Sequence, residues 1–165
     1  MAVLPLLKAT DPLLREVMPT YDFPEHDLTV QAATDLSESL LHHGGIGLAA
    51  PQIGMRIRAF VLKASPMVVC FNPRIVDVSD KMEYMEEGCL TFPDLFIKIK
   101  RPVSIRVRFQ YPNSETVTET FTGLTARIFQ HELDHLNGIL FQKRANRIHI
   151  ERAENKLRRI RNGRA

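Results

Sequence analysis

Two histidines four residues apart, with a glutamate directly after the first, stand at His131-Glu132-Leu133-Asp134-His135. Positions four apart share one face of a helix, so both imidazoles can reach a single ion. Glu132 then projects beside that ion, where a carboxylate can take a proton from bound water. The flanking Ile128, Phe129 and Leu133 are apolar and Gln130 is adjacent, unlike a surface helix that happens to carry two histidines. A divalent metal is expected, and with it hydrolysis by an activated water.

A catalytic ion of this kind has three protein ligands and keeps a fourth position open, so one more ligand must come from elsewhere. The extended protease pattern H-E-x-x-H-x-x-G-x-x-H is met at Gly138 but ends on Phe141, which cannot bind a metal, and that class is excluded. Glu151 and Glu154 are spaced suitably for the other protease arrangement. Their neighbours Arg152, Lys156 and Arg158 make surface ion pairing the simpler account. The remaining candidate is upstream, in Glu87-Gly88-Cys89-Leu90-Thr91, where a thiol sits in a glycine-containing segment just before Pro93. A thiolate with two imidazoles suits iron(II), zinc, nickel or cobalt.

The elements that must position these groups follow from periodicity. Leu28, Ala32, Leu36 and Leu40 recur at four-residue steps and predict a helix over 27–42, started by the stretch containing Pro24 and stopped by the glycines that begin at Gly44. Strands are expected at 58–63 and at 67–71, the second an apolar run that suggests burial on both sides, with Cys70 inside it as a small hydrophobe. Val103, Ile105, Val107 and Phe109 alternate with polar residues, and 117–122 resumes after Tyr111-Pro112-Asn113-Ser114, which reads as a hairpin with one wet face. A helix over 124–136 carries the paired histidines and stops at Asn137-Gly138. Ile150, Ala153, Leu157 and Ile160 mark a last amphipathic helix. Strands between helices without regular alternation predict an α+β fold, with mixed or antiparallel sheets around the central histidine-bearing helix.

At 165 residues the chain can build one core, so residues 1–165 are read as a single domain whose residues 149–165 form a basic C-terminal helix. The net charge of +3 is uneven: residues 143–165 hold nine Lys or Arg against two Glu, leaving −4 on the rest. Such a segment reads first as a solvated helix face and second as a dock for an anionic partner. No apolar run approaches the roughly 20 residues of a membrane span, no leader is visible, and two cysteines make no disulfide framework. A cytoplasmic protein is expected, although a virus-encoded or organellar copy would read the same way.

Taken together, three motifs in order resemble the peptide deformylase family. Gly45-Ile46-Gly47-Leu48-Ala49-Ala50-Pro51-Gln52 is similar to its glycine-rich motif, Glu87-Gly88-Cys89-Leu90-Thr91 to its cysteine motif, and Gln130 to His135 to its metal-binding helix. One departure is Thr91, where the family usually has Ser; both keep a hydroxyl. The short connection between the cysteine motif and the hairpin resembles the shorter subtype.

The resemblance implies removal of the N-formyl group from formylmethionyl nascent polypeptides. It implies one divalent ion held by Cys89, His131 and His135, Fe2+ in the cell with Zn2+, Ni2+ or Co2+ in purified protein. Glu132 would shuttle the proton. The side-chain amide of Gln52 and the backbone N–H of Leu90 would stabilise the oxyanion. Gly45, Ile46 and Gly47 are expected to meet the substrate backbone and side chain, with Ile128 and the stem of Arg127 lining an apolar methionine pocket while the charge of Arg127 reaches water. Glu87 is expected to orient a ligand histidine or pair with Arg101. The basic tail is expected to meet ribosomal RNA, and the protein to be a monomer. The helix motif alone also allows a metal-dependent endopeptidase, and a binding module that kept its ion without turnover is the reading from another class. Cys89 and the glycine motif argue against the first; the presence of Gln52, Leu90 and Glu132 argues against the second.

Overall fold

In a computed structural model of the chain, which describes residues 2–23 and 25–164, the helix built on the Leu36 stripe is α1 (His26–His43). Pro24, part of its predicted start, and Ala165, the end of the predicted tail, lie outside the described residues. Ala32, Leu36 and Leu40 are buried as their spacing requires, but Leu28 is 55% exposed, because the inward stripe begins at Thr29. Gly44 ends the helix at φ 73°, a left-handed cap that glycine takes without strain, and its N–H donates to the Leu40 carbonyl.

Strands β1 (Gly47–Ala49), β2 (Ala59–Leu62), β3 (Val68–Val78), β6 (Ser104–Gln110) and β7 (Thr116–Thr122) form an antiparallel sheet in the order β1-β2-β3-β6-β7. The predicted alternation holds in β6, where Ile105, Val107 and Phe109 are buried and Arg106 and Arg108 are exposed. β3 runs well past the predicted residue 71. Asn72, at φ 49°, breaks the register there and ties the strand to the N-terminal arm through Tyr21, whose N–H donates to Asn72 Oδ1 at 2.7 Å. Beyond that irregularity the strand turns outward, so burial on both sides applies only around Cys70 and Phe71.

A second, two-stranded sheet, β4 (Met82–Cys89) and β5 (Phe92–Pro102), was not anticipated. Its signal was present in the alternation of Leu95, Ile97 and Ile99, all buried, with Phe96, Lys98 and Lys100. Helix α2 (Gly123–Leu136) lies between the two sheets. Ala126, Phe129 and Leu136 enter the core of the five-stranded sheet, where the Phe129 and Phe60 rings meet edge to face at 5.0 Å. Fully burying one such ring contributes roughly 1.5–3 kcal/mol. The opposite side of α2 faces β4 and β5. Helix α3 (Arg147–Arg164) closes that side, with Ala153 and Leu157 packed against Leu95, Ile97 and Ile99.

Candidate metal centre

Cys89 ends β4 at a register irregularity, and its pairing with Phe92 leaves Leu90 and Thr91 to make the turn. His131 and His135 come from one face of α2, their ring centroids 5.1 Å apart. The ligand atoms of Cys89, His131 and His135 all lie within 4.8 Å of one another, and Cys89 Sγ is 3.3 Å from His135 Nε2. Bonds of about 2.0–2.3 Å to a tetrahedral ion require ligand separations of this order.

The donor set fits an ion on further counts. His131 Nδ1–H donates to Glu87 Oε1 at 2.9 Å, which leaves Nε2 of that ring for the centre. Glu132 is buried, and its Oε2 has no hydrogen-bond partner among the described residues. Burial pushes the Glu132 carboxyl up to about 7. Burial works against charge on His131, yet the neighbouring Cys89 and Glu87 outweigh it and carry that ring up to about 10. Cys89 and Glu87 thus favour positive charge at the His131 ring. His135 is held well below its usual value, by burial and then by the charges of His131 and Arg101, which keeps a lone pair available.

Gln52 lies in a 3-10 turn (Ala50–Ile53) just after β1. Its Oε1 accepts from the Ala49 N–H at 2.8 Å, so its Nε2 is the end that faces Cys89. Nε2 donates to Thr91 Oγ1 at 3.1 Å and to Cys89 Sγ at 3.6 Å. The hydroxyl at position 91 is thus the part of that residue in use.

Gly45, Ile46 and Gly47 line a cleft of about 540 Å³ together with Leu90 and Ile128. β1 is the outermost strand of its sheet, so the glycine motif lies at a sheet edge. Gly47 has a reason beyond substrate approach: a Cβ there would collide with the Glu132 carboxylate and come within 2.7 Å of Ile128 Cγ2. Gly45 is likewise pressed by Leu90, whose Cδ1 is 2.7 Å from the place a Cβ would take. Ile46, Phe96 and Leu124 are about half exposed at the rim of the cleft. Phe96 and Leu124 had no assigned part, since a single apolar residue on a wet face carries no signal of its own.

The expected alternatives for Glu87 both occur. It accepts from His131 and also pairs with Arg101, whose Nε and Nη2 donate at 2.7 and 2.9 Å. Burial opposes its ionisation, but hydrogen bonds from His131 and Arg101 outweigh that and hold the carboxyl at about 2. Arg127 lines the cleft but differs from expectation at its far end: it is only 5% exposed, and its guanidinium bonds Glu87 instead of reaching water. Asp134, inside the histidine motif but given no role, accepts from Arg101 and Arg144. Glu151 pairs with Arg147 at 2.7 Å on the exposed surface of α3, as its basic neighbours suggested.

A family model described as polypeptide deformylase matches residues 3–151. A peptide deformylase of Thermotoga petrophila is 41% identical over 133 residues, 79% of each chain. A solved peptide deformylase of Synechococcus elongatus in complex with actinonin superposes with a TM-score of 0.86 at 33% identity, over 93% of this chain and 85% of that one. The Met-Ala-Ser-bound class I type b peptide deformylase of Acinetobacter baumannii gives 0.80 at 33% identity, over 87% and 98%.

Proposed function

The chain belongs to the peptide deformylase family, and from that premise we propose how its own residues divide the work of hydrolysing an N-formyl amide. Members are metal-dependent hydrolases, and the reaction releases formate from N-formylmethionyl polypeptides. The observation that carries the assignment is the meeting of the Cys89, His131 and His135 ligand atoms within 4.8 Å of one another, with the Gln52 amide 3.6 Å from the Cys89 sulfur and Glu132 lining the same cleft.

Cys89, His131 and His135 hold one divalent ion, iron(II) in the cell, with zinc, nickel or cobalt as alternatives in purified protein. Bound there, such an ion supplies Lewis acidity that lowers the pKa of a water. Glu132 takes the proton of the attacking water and returns it to the departing amine, a task suited to a carboxyl whose burial eases its protonation. Gln52 Nε2 and the Leu90 N–H face the charge that builds on the formyl oxygen. The peptide adds as a strand beside Gly45, Ile46 and Gly47, consistent with the edge position of β1 and with the Met-Ala-Ser bound by the Acinetobacter relative. Ile46, Ile128 and the stem of Arg127 line the methionine pocket.

Formate release from formyl-Met-Ala-Ser, with casein cleavage and ion content measured on the same anaerobically purified sample, tests this reading. Turnover proportional to bound ion, with casein intact, is expected. Casein cleavage without formate would mark an endopeptidase instead.

Gly47→Ala tests the approach of β1 to Glu132. A displaced general base costs on the order of 10²-fold in kcat, since misplacement by about 1 Å has that effect. Stopped-flow formate release would read it, with circular dichroism showing the fold unchanged. Wild-type kcat in this variant would mean that Glu132 has room the geometry does not show.

Residues 1–165 are taken as one domain acting as a monomer in the cytoplasm; no described helix is long and apolar enough to cross a membrane. On α3, Arg152, Lys156, Arg158 and Arg159 are exposed while Ala153 and Leu157 face β5. We assign that outer face to ribosomal RNA. Reversing Lys156, Arg158 and Arg159 to Glu should remove ribosome co-sedimentation, and binding to unaltered protein should fall steeply with salt. Binding that ignored both changes would refute the assignment.

A further inference from the structure

A guanidinium buried in the wall of the cleft needs a reason, and its partners supply one. Arg127 stands one helical turn before His131, on the same face of α2. Its Nη1 donates to Glu87 Oε2 and to the Ile99 carbonyl, both at 2.9 Å, and its Nη2 donates to the Glu83 carbonyl at 2.8 Å. One side chain of the helix thereby grips both strands of the small sheet, β4 through Glu83 and Glu87 and β5 through Ile99.

The Glu87 carboxylate is gripped from two sides. Oε1 accepts from His131 Nδ1 and Arg101 Nη2, and Oε2 accepts from Arg101 Nε and Arg127 Nη1. Arg101 belongs to β5, paired with β4, so it holds Glu87 largely within the small sheet. It reaches α2 only at Asp134. Arg127 supplies the second bond from the helix to Glu87 itself, beside that of His131, and the only one of the two that does not come from a ligand ring. The orientation of the His131 ring depends on where Oε1 sits, and Cys89 follows Glu87 by two residues on the same strand. The gap between the thiol-bearing strand and the imidazole-bearing helix is thus set where Arg127 acts.

We infer that Arg127 is a positioning residue for the metal centre, clamping Glu87 and the β4–β5 backbone to α2 so that Cys89 meets His131 and His135 at ligand distance. The inference rests on the ligand assignment above. A planar fork can serve a carboxylate and two carbonyls at once, whereas the point charge of lysine cannot.

The test uses full-length cobalt(II)-loaded protein: wild type, Arg127→Met, Arg127→Lys, Glu87→Gln and the Arg127→Met/Glu87→Gln pair. Three quantities are read: the cobalt absorption bands, the rate of ion loss to a chelator, and kcat and KM for formyl-Met-Ala-Ser. Arg127→Met should shift the bands, lose the ion about 10- to 100-fold faster and lower kcat by a similar factor, the usual cost of removing an outer partner of a metal ligand. KM should change by less than about threefold, because a wall residue that only bound substrate would move KM and leave kcat alone. In the Glu87→Gln background the same change should cost clearly less than it does in wild type, since the two residues share one contact while the carbonyl bonds to Ile99 and Glu83 are lost in either background. Arg127→Lys should fall between wild type and Arg127→Met.

Ion loss and kcat within about twofold of wild type in Arg127→Met, a change in KM alone, or full additivity with Glu87→Gln would each overturn the inference. If Arg127→Met fails to fold, Arg127→Lys decides, and wild-type ion retention in it is the refuting result. Wild-type protein lacking a thiolate-to-cobalt charge-transfer band would instead remove the ligand assignment, and this inference with it.

Discussion

Glu132→Gln is expected to keep its ion and lose its turnover. Glutamine has nearly the same shape, so Cys89, His131 and His135 remain as placed, but an amide cannot accept a proton from water. General acid–base catalysis contributes on the order of 10²–10⁴-fold, and here one carboxylate is asked both to take the proton and to return it, so the upper part of that range applies. That corresponds to about 4–5 kcal/mol of barrier. With the ion stripped from both proteins, the variant should also be at least as stable as wild type above pH 7. The Glu132 carboxyl is raised to about 7 by burial, so the folded state favours its protonated form, and the penalty for ionising it grows as pH rises from the unfolded value toward 7. Glutamine carries no such penalty. Elemental analysis and formate release on the loaded protein, with thermal unfolding of the ion-free protein, check all three points. Retained turnover would remove Glu132 from the proton path.

Cys89→Ser should have an effect of comparable size by another route. A serine hydroxyl is not deprotonated at neutral pH and is a poor partner for a soft or borderline cation, so two imidazoles alone must hold the ion. Ion affinity should fall by more than the 10–100-fold typical of losing an outer partner, and formate release should fall with it. Exhaustive chelation of the wild type should give the same inactive state, reversed by refilling. In the variant, excess zinc should restore little. Cys70 provides the control: fully buried beside Phe60 and Phe71, it should tolerate alanine with a loss of stability and no change in ion content. Full ion occupancy in Cys89→Ser would mean that the third ligand lies elsewhere.

The local chemistry was legible in the chain alone because helical geometry is short range. His131, Glu132 and His135 acquire their mutual placement from a four-residue spacing, and the alternation in β6 assigns its faces without reference to any neighbour. The same reasoning counted Leu28 in the buried stripe, where the fold exposes it, and passed over β4 and β5. A stripe of apolar residues does not say where contact with the core begins, and a short strand is recognised by the partner it pairs with.

Groups far apart in the chain meet only in the folded molecule. Cys89 lies 46 positions before His135, yet its sulfur is 3.3 Å from that ring. Glu87 accepts from Arg101, Arg127 and His131 because a strand, its hairpin partner and a helix converge there. Gly47 is required by a carboxylate 85 positions away as well as by any substrate. The charge of Arg127 turns inward for the same reason. Whether a guanidinium seeks water or a buried carboxylate depends on what the fold places within about 3 Å of it, and spacing along the chain carries no such information.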